Sequence, residues 1–111
     1  MGGAMFRWLR RKSADLHPEV AHLAALMREI EDVVRGGGAA RWANQVSRCA
    51  DIVERSDGYG VERFLQLYGG MGSINDLSLH RNGVPLVEEN DRLGQLLSEA
   101  FELASRLKRS S

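Results

Sequence analysis

A single cysteine, two prolines and only 6% aromatic residues define this sequence first by scarcity. One cysteine, Cys49, cannot close an internal disulfide, so a disulfide-stapled secreted scaffold is excluded. Cys49 is expected to be a small core residue in a reducing, cytoplasmic compartment. No run approaches the roughly 18 apolar residues that a membrane-spanning helix needs, and no apolar leader precedes the first polar stretch. Charge of one sign is also missing, since the formal net charge is zero. That balance hides an uneven distribution. Arg7, Arg10, Arg11 and Lys12 sit at one end and Arg106, Lys108 and Arg109 at the other, leaving residues 13–105 with fifteen acids against eight arginines, a balance of −7. A body of that sign lacks the footprint of a nucleic-acid binder and suits a basic partner.

What is present is helical. Hydrophobic residues make up 43% and charged residues 27% of 111 residues, enough for one globular domain and too apolar for disorder throughout. Two regions are expected: a basic segment over 1–14, disordered or loosely docked, and one helical domain over 15–109. Within the first, Met5 to Lys12 carries Phe6 and Trp8 among its cations, the composition of a weak contact with an anionic membrane surface.

Pro18 and Glu19 occupy first-turn positions, and Val20, Leu23, Met27, Ile30 and Val34 form one apolar stripe that stops before Gly36-Gly37-Gly38. His17 and His22 are five residues apart, the wrong spacing for two zinc ligands on one helical face, so no metal or other cofactor is expected. A second helix runs from Ala39 to Ser56 with Ala39, Trp42, Val46, Cys49 and Val53 inward, Trp42 as a core anchor, and Arg48 beside Asp51 as a surface pair. Asp57-Gly58-Tyr59-Gly60 reads as a break, followed by a short helix from Val61 to Tyr68 that stops at Gly69. The last helix extends from Val87 or Glu88 to Lys108, with acids in its first turn and bases in its last. Its wide stripe of Leu93, Leu96, Leu97, Ala100, Phe101, Leu103, Ala104 and Leu107 implies packing between two other helices, although a second copy of the chain could cover part of it. Gly94, inside that helix, suggests the close approach of another backbone.

The long connection is where the sequence is most specific. Gly69-Gly70-Met71-Gly72-Ser73-Ile74-Asn75-Asp76-Leu77 places three glycines within four residues, then Ser, Asn and Asp. Ser73 and Asp76 have the spacing of a capping box. Beyond it, Leu77-Ser78-Leu79 and Val84-Pro85-Leu86 flank His80-Arg81-Asn82-Gly83, a hairpin signal limited by Pro85. The fold class expected is therefore mainly α, a small antiparallel bundle of about four helices with a short hairpin-like excursion before the last.

Three functional readings attach to the connection. Ser73, Asp76 and His80 are the residue types of a catalytic triad, but no GxSxG elbow surrounds Ser73. Gly69 to Ser73 could form a phosphate-binding nest, but the Lys-Ser/Thr ending of a P-loop is missing. The third reading is a rigid epitope for a protein, with Met71 and Ile74 as apolar contacts and Gly70, Gly72, Ser73, Asn75 and Asp76 as its backbone and polar part. The segment from Gly69 to Leu77, with Trp42 upstream and a leucine-rich helix downstream, resembles a family of small uncharacterised bacterial proteins carrying a GGMGSxNDL motif, over roughly Trp42 to Leu103. The resemblance implies no established activity; some such proteins look like immunity partners of secreted toxins. The expectation is a non-catalytic interaction module with an unidentified, basic protein partner. The alternative is a small-ligand or phosphate-ester enzyme using Ser73, Asn75, Asp76 and His80.

Overall fold

The computed structural model describes residues 17–55, 58–69 and 72–110. Four helices, α1 (Pro18–Gly36), α2 (Ala40–Glu54), α3 (Gly58–Leu65) and α4 (Val87–Ser110), account for most of them. A turn of 3-10 helix, Ile74–Asp76, and a hairpin of β1 (His80–Arg81) and β2 (Val84–Pro85) lie between α3 and α4. The expected 1–14 segment, including the membrane-contact stretch Met5 to Lys12, falls outside the described residues.

Each helix begins for a local reason and is held by a distant one. Pro18 opens α1, and the His17 ring Nδ1 accepts the Glu19 N–H at 3.1 Å, satisfying one of the free donors of the first turn. Leu23, Met27, Ile30 and Val34 on its inner stripe are completely buried. The chain reverses at Gly37-Gly38, where Gly38 has φ +87°. Helix α2 then buries Ala43, Val46, Cys49, Ala50 and Val53, while Trp42 is only half-buried at the core edge and so contributes less as an anchor than its position on the stripe suggested.

Cross-helix pairs fix the directions. Arg28 reaches Glu54 whereas Arg35 reaches Asn44, so α1 and α2 are antiparallel. Glu19 pairs with Arg106, His22 with Glu99 and Glu29 with Arg92, so α1 and α4 are antiparallel too. Packing runs α1 on α2, α2 on α3, α3 on α4 and α4 on α1, a closed ring with α2 and α4 on opposite corners. The last helix does pack between two others, α1 and α3, although Phe101 stays 42% exposed on its flank.

Three expectations are corrected. The third helix starts at Gly58, so Gly58-Tyr59-Gly60 is helical and no break, and it ends at Leu65, short of Tyr68. The reason is a tight contact: a Cβ at Gly60 would stand 2.8 Å from the Val53 backbone nitrogen and 2.9 Å from Ile52 Cγ2. Only glycine lets α3 start against the end of α2. Gly94 shows the converse, being exposed with nothing within 4 Å of its Cβ position, so no backbone approaches it. Finally, Asp51 does not take up Arg48; its Oδ1 accepts from Arg28 of α1 at 2.6 Å.

The first strand of the hairpin lies nearer the turn than the Leu77-Ser78-Leu79 alternation suggested, while the second falls within Val84-Pro85-Leu86 as expected. Arg81 pairs with Val84 and His80 with Pro85, around Asn82 at φ 54° and Gly83 at φ 79°. Two successive positive φ values are the type I′ geometry that Asn-Gly favours. Leu79, expected in the strand, is instead a buried plug, 1% exposed, filling the space against Gly37, where a Cβ would come within 2.8 Å of its methyl carbons.

Candidate functional site

The glycine-rich turn is held by its backbone. Gly69 and Gly72 take φ +88° and +75°, values that side chains disfavour. Ile74 N–H donates to the Leu67 carbonyl at 2.9 Å, tying the turn to the end of α3, and Ile74 itself is fully buried. It is thus an internal anchor and not the apolar surface contact expected of it. Gly70 and Met71, both candidate binding residues, lie outside the described residues.

The capping box does not form. Asp76 Oδ2 accepts the N–H of Gly72, one residue before the cap, at 3.0 Å, and Ser73, at the cap position and 8% exposed, makes no capping bond with its side chain. Asn75 is exposed, and its amide bonds to no other group in the described structure. His80 is exposed as well. Its Nδ1 lies 3.1 Å from the Ser78 carbonyl, which makes that nitrogen the donor. No hydrogen bond joins Ser73, Asp76 and His80 to one another, and the Asp76 carboxylate is already engaged with backbone. The arrangement presents donors and acceptors on a fixed backbone.

Two side chains that sequence reasoning passed over hold the connection in place. Asn90, in the first turn of α4, accepts the Leu79 N–H with Oδ1 at 2.7 Å and donates from Nδ2 to the Leu79 carbonyl at 3.0 Å. Its amide thus imitates a paired strand. Arg81 donates from Nη2 to the Gly36 carbonyl at 3.0 Å, capping the end of α1. An Asn just inside a helix start was the sole sequence signal for the first; nothing local announced the second.

An open groove of about 570 Å³ adjoins the turn, lined by Gly38, Ala39, Arg41, Trp42, Gln45 and Gly72. On the far side of α2, Arg28 gathers the neighbouring acids. Its guanidinium meets Glu54 through two nitrogens at 2.7 and 3.1 Å, Asp51 at 2.6 Å, Glu31 at 3.1 Å and the Ser47 hydroxyl at 3.2 Å. The Glu54 carboxylate is the largest influence holding this guanidinium in its charged form, above its ordinary range. Tyr68 bridges α3 and α4: its hydroxyl donates to the Leu97 carbonyl at 2.8 Å, and burial pushes its phenol up.

A family model described as a domain of unknown function, DUF6966, matches residues 35–87. The DUF6966 segment starts in the last turn of α1, contains α2, α3, the glycine-rich turn and the hairpin, and stops at the first residue of α4. It therefore includes Gly72, Ser73, Asn75, Asp76 and Trp42, and leaves most of both outer helices outside. No curated protein and no solved structure matches the chain. Among the described residues no cluster of His, Cys, Asp and Glu could hold a metal ion, and no helix is long and apolar enough to cross a membrane.

Proposed function

We propose that this chain is a non-catalytic protein-interaction module that meets its partner through the glycine-rich turn, with Gly70, Met71, Gly72, Ser73, Asn75 and Asp76 as the contact segment. The observation that carries the reading is the division of labour within the turn. Ile74 holds its shape from inside and Asp76 through its bond to the Gly72 N–H, whereas Asn75 is exposed and engages no other group in the described structure. A rigid loop displaying an uncommitted amide loses little entropy when a partner binds it.

The partner is taken to be a basic protein, in a bacterial cytoplasmic setting like that of toxin-immunity proteins. What supports the sign is the outer face of α4, where Glu88, Asp91 and Glu102 are exposed and make no ion pair among the described residues. The free, buried Cys49 is consistent with a reducing compartment. Self-association and contact between Met5 to Lys12 and a membrane surface remain separate proposals, each secondary to this one.

The test is a pull-down with tagged full-length chain from lysate of the producing organism, comparing wild type with Asn75→Ala and with Asn75→Ala/Asp76→Ala. Retention of one protein by the wild type and its loss from Asn75→Ala, at unchanged melting temperature, is the expected result. Turnover of a phosphate ester that disappears in Ser73→Ala would overturn the reading in favour of the enzymatic one.

A further inference from the structure

The outward face of α2 carries Arg41, Arg48 and Arg55, seven residues apart and so about 10 Å apart along the helix axis. All three are exposed, and none makes a hydrogen bond or ion pair in the described structure. Arg28, Arg35, Arg81, Arg92 and Arg106, by contrast, are each engaged. The cause lies in the fold. On an isolated helix Asp51 would stand within reach of Arg48 three residues before it and Arg55 four residues after it. Here Asp51 and Glu54 turn to the α1 side, where Arg28 binds both. Asp51 is thereby withdrawn from Arg48 and Arg55, Arg41 has no acid within a helical turn of it, and a positive ridge stands out on a body that is otherwise acidic.

The ridge has a partly apolar margin. Trp42 and Ile52, with the polar Gln45 between them, run along its α3 side, half-buried, and the groove between Trp42 and Gly72 opens beside Arg41. Among the described residues the Trp42 indole N–H has no hydrogen-bond acceptor. Because α2 and α4 occupy opposite corners of the ring, the ridge and the acidic face of α4 point away from each other.

We propose that this ridge docks an acidic helical segment of a partner protein, whose heptad-spaced carboxylates meet Arg41, Arg48 and Arg55 and whose apolar side chain enters the groove beside Trp42. Charge complementarity selects the occupant. Exposed arginines at a seven-residue repeat beside a partly apolar strip match the flanking positions of paired helices, which set partner choice through charge. A nucleic acid fits less well, since a polyanion longer than the ridge would run onto a body with a balance of −7. The three arginines lie outside the glycine-rich turn, although the groove shares Gly72 with it; the test substitutes the arginines alone, so its outcome does not depend on Asn75 or Asp76.

The experiment is a fluorescence-anisotropy titration of the full chain into a labelled helical peptide of about three heptads, with Glu at one heptad position, three in all, and Leu beside each. A Lys-for-Glu peptide and a thymidine oligonucleotide serve as comparison probes. Wild type should bind the Glu peptide, with affinity falling as salt rises. Arg41→Gln/Arg48→Gln/Arg55→Gln should bind about tenfold more weakly, the combined effect of three exposed ion pairs, and Arg109→Gln on α4 should match wild type. Since none of the three arginines holds the fold, the triple variant should melt as wild type does. Equal binding by the triple variant, absence of saturable binding, or tighter binding of the oligonucleotide would each overturn the proposal. So would self-association of the wild type that the triple variant abolishes, which would make a second copy the occupant.

Discussion

Gly60 and Gly94 are both helical glycines, and their surroundings give them opposite consequences. At Gly60 an added methyl would press on the Val53 backbone, which cannot yield without moving α3 off α2. Gly60→Ala should destabilise the protein by about 1–3 kcal/mol, read as a lowered urea midpoint. At Gly94 the space is open and the position exposed. Gly94→Ala should stabilise by up to about 1 kcal/mol, since only helix propensity changes. Sequence pattern put a break at Gly60 and the close approach at Gly94, whereas Gly60 makes the close approach and neither breaks its helix, because clearance around a glycine belongs to its neighbours. The turn makes a similar point. Asp76→Ala removes the bond to Gly72 N–H and should cost about 1 kcal/mol, with a melting temperature some degrees lower. Ser73→Ala should cost less, as its hydroxyl caps nothing. The capping-box spacing was legible; that Asp76 would take the N–H of Gly72 in place of that of Ser73 was not.

Among the elements, the connection before α4 depends on Asn90. Asn90→Ala would strip the Leu79 N–H of its acceptor next to a buried side chain, while the Leu79 carbonyl keeps the Leu86 N–H at 2.9 Å. A loss of about 1–3 kcal/mol is expected from that orphaned donor, together with faster hydrogen exchange at the Leu79 amide, which a uniform destabilisation would not single out. The hairpin itself was legible from Asn82-Gly83, since a type I′ turn depends on two adjacent residues. Its attachment was not, because Leu79 and Asn90 are joined by side-chain bonds across an intervening turn. Arg28 couples α1 to α2 in the same non-local way. Arg28→Ala leaves Glu31, Asp51 and Glu54 without their shared cation; with the guanidinium about one-third exposed, the expected cost is about 1–2 kcal/mol, read by urea denaturation.

For the whole molecule, closure of the four-helix ring decides what the core excludes. Cys49 is fully buried within it, and burial pushes its thiol up to about 11. Its thiolate forms near pH 9 in the unfolded chain, so above that pH the unfolded state releases a proton that the native state retains. Stability should therefore fall as pH rises from about 9 to about 11, by no more than about 1.4 kcal/mol per unit. Urea midpoints at pH 8 and pH 10, compared with those of Cys49→Ala, isolate this contribution. By itself the sequence determined the number and order of the helices, the start of α1 at Pro18, the Asn82-Gly83 turn and the balance of charge, since each depends on residues within a turn or two of one another. Only the tertiary structure decided that Ile74 and Leu79 point inward, that Gly60 must be glycine, and that Arg28 takes Asp51 and Glu54 across 23 and 26 positions. That last pairing is what leaves Arg48 and Arg55 without an acid, while Arg41 has none within a helical turn of it: a helix's spacing states which charges can pair, and the neighbouring helix decides which of them do.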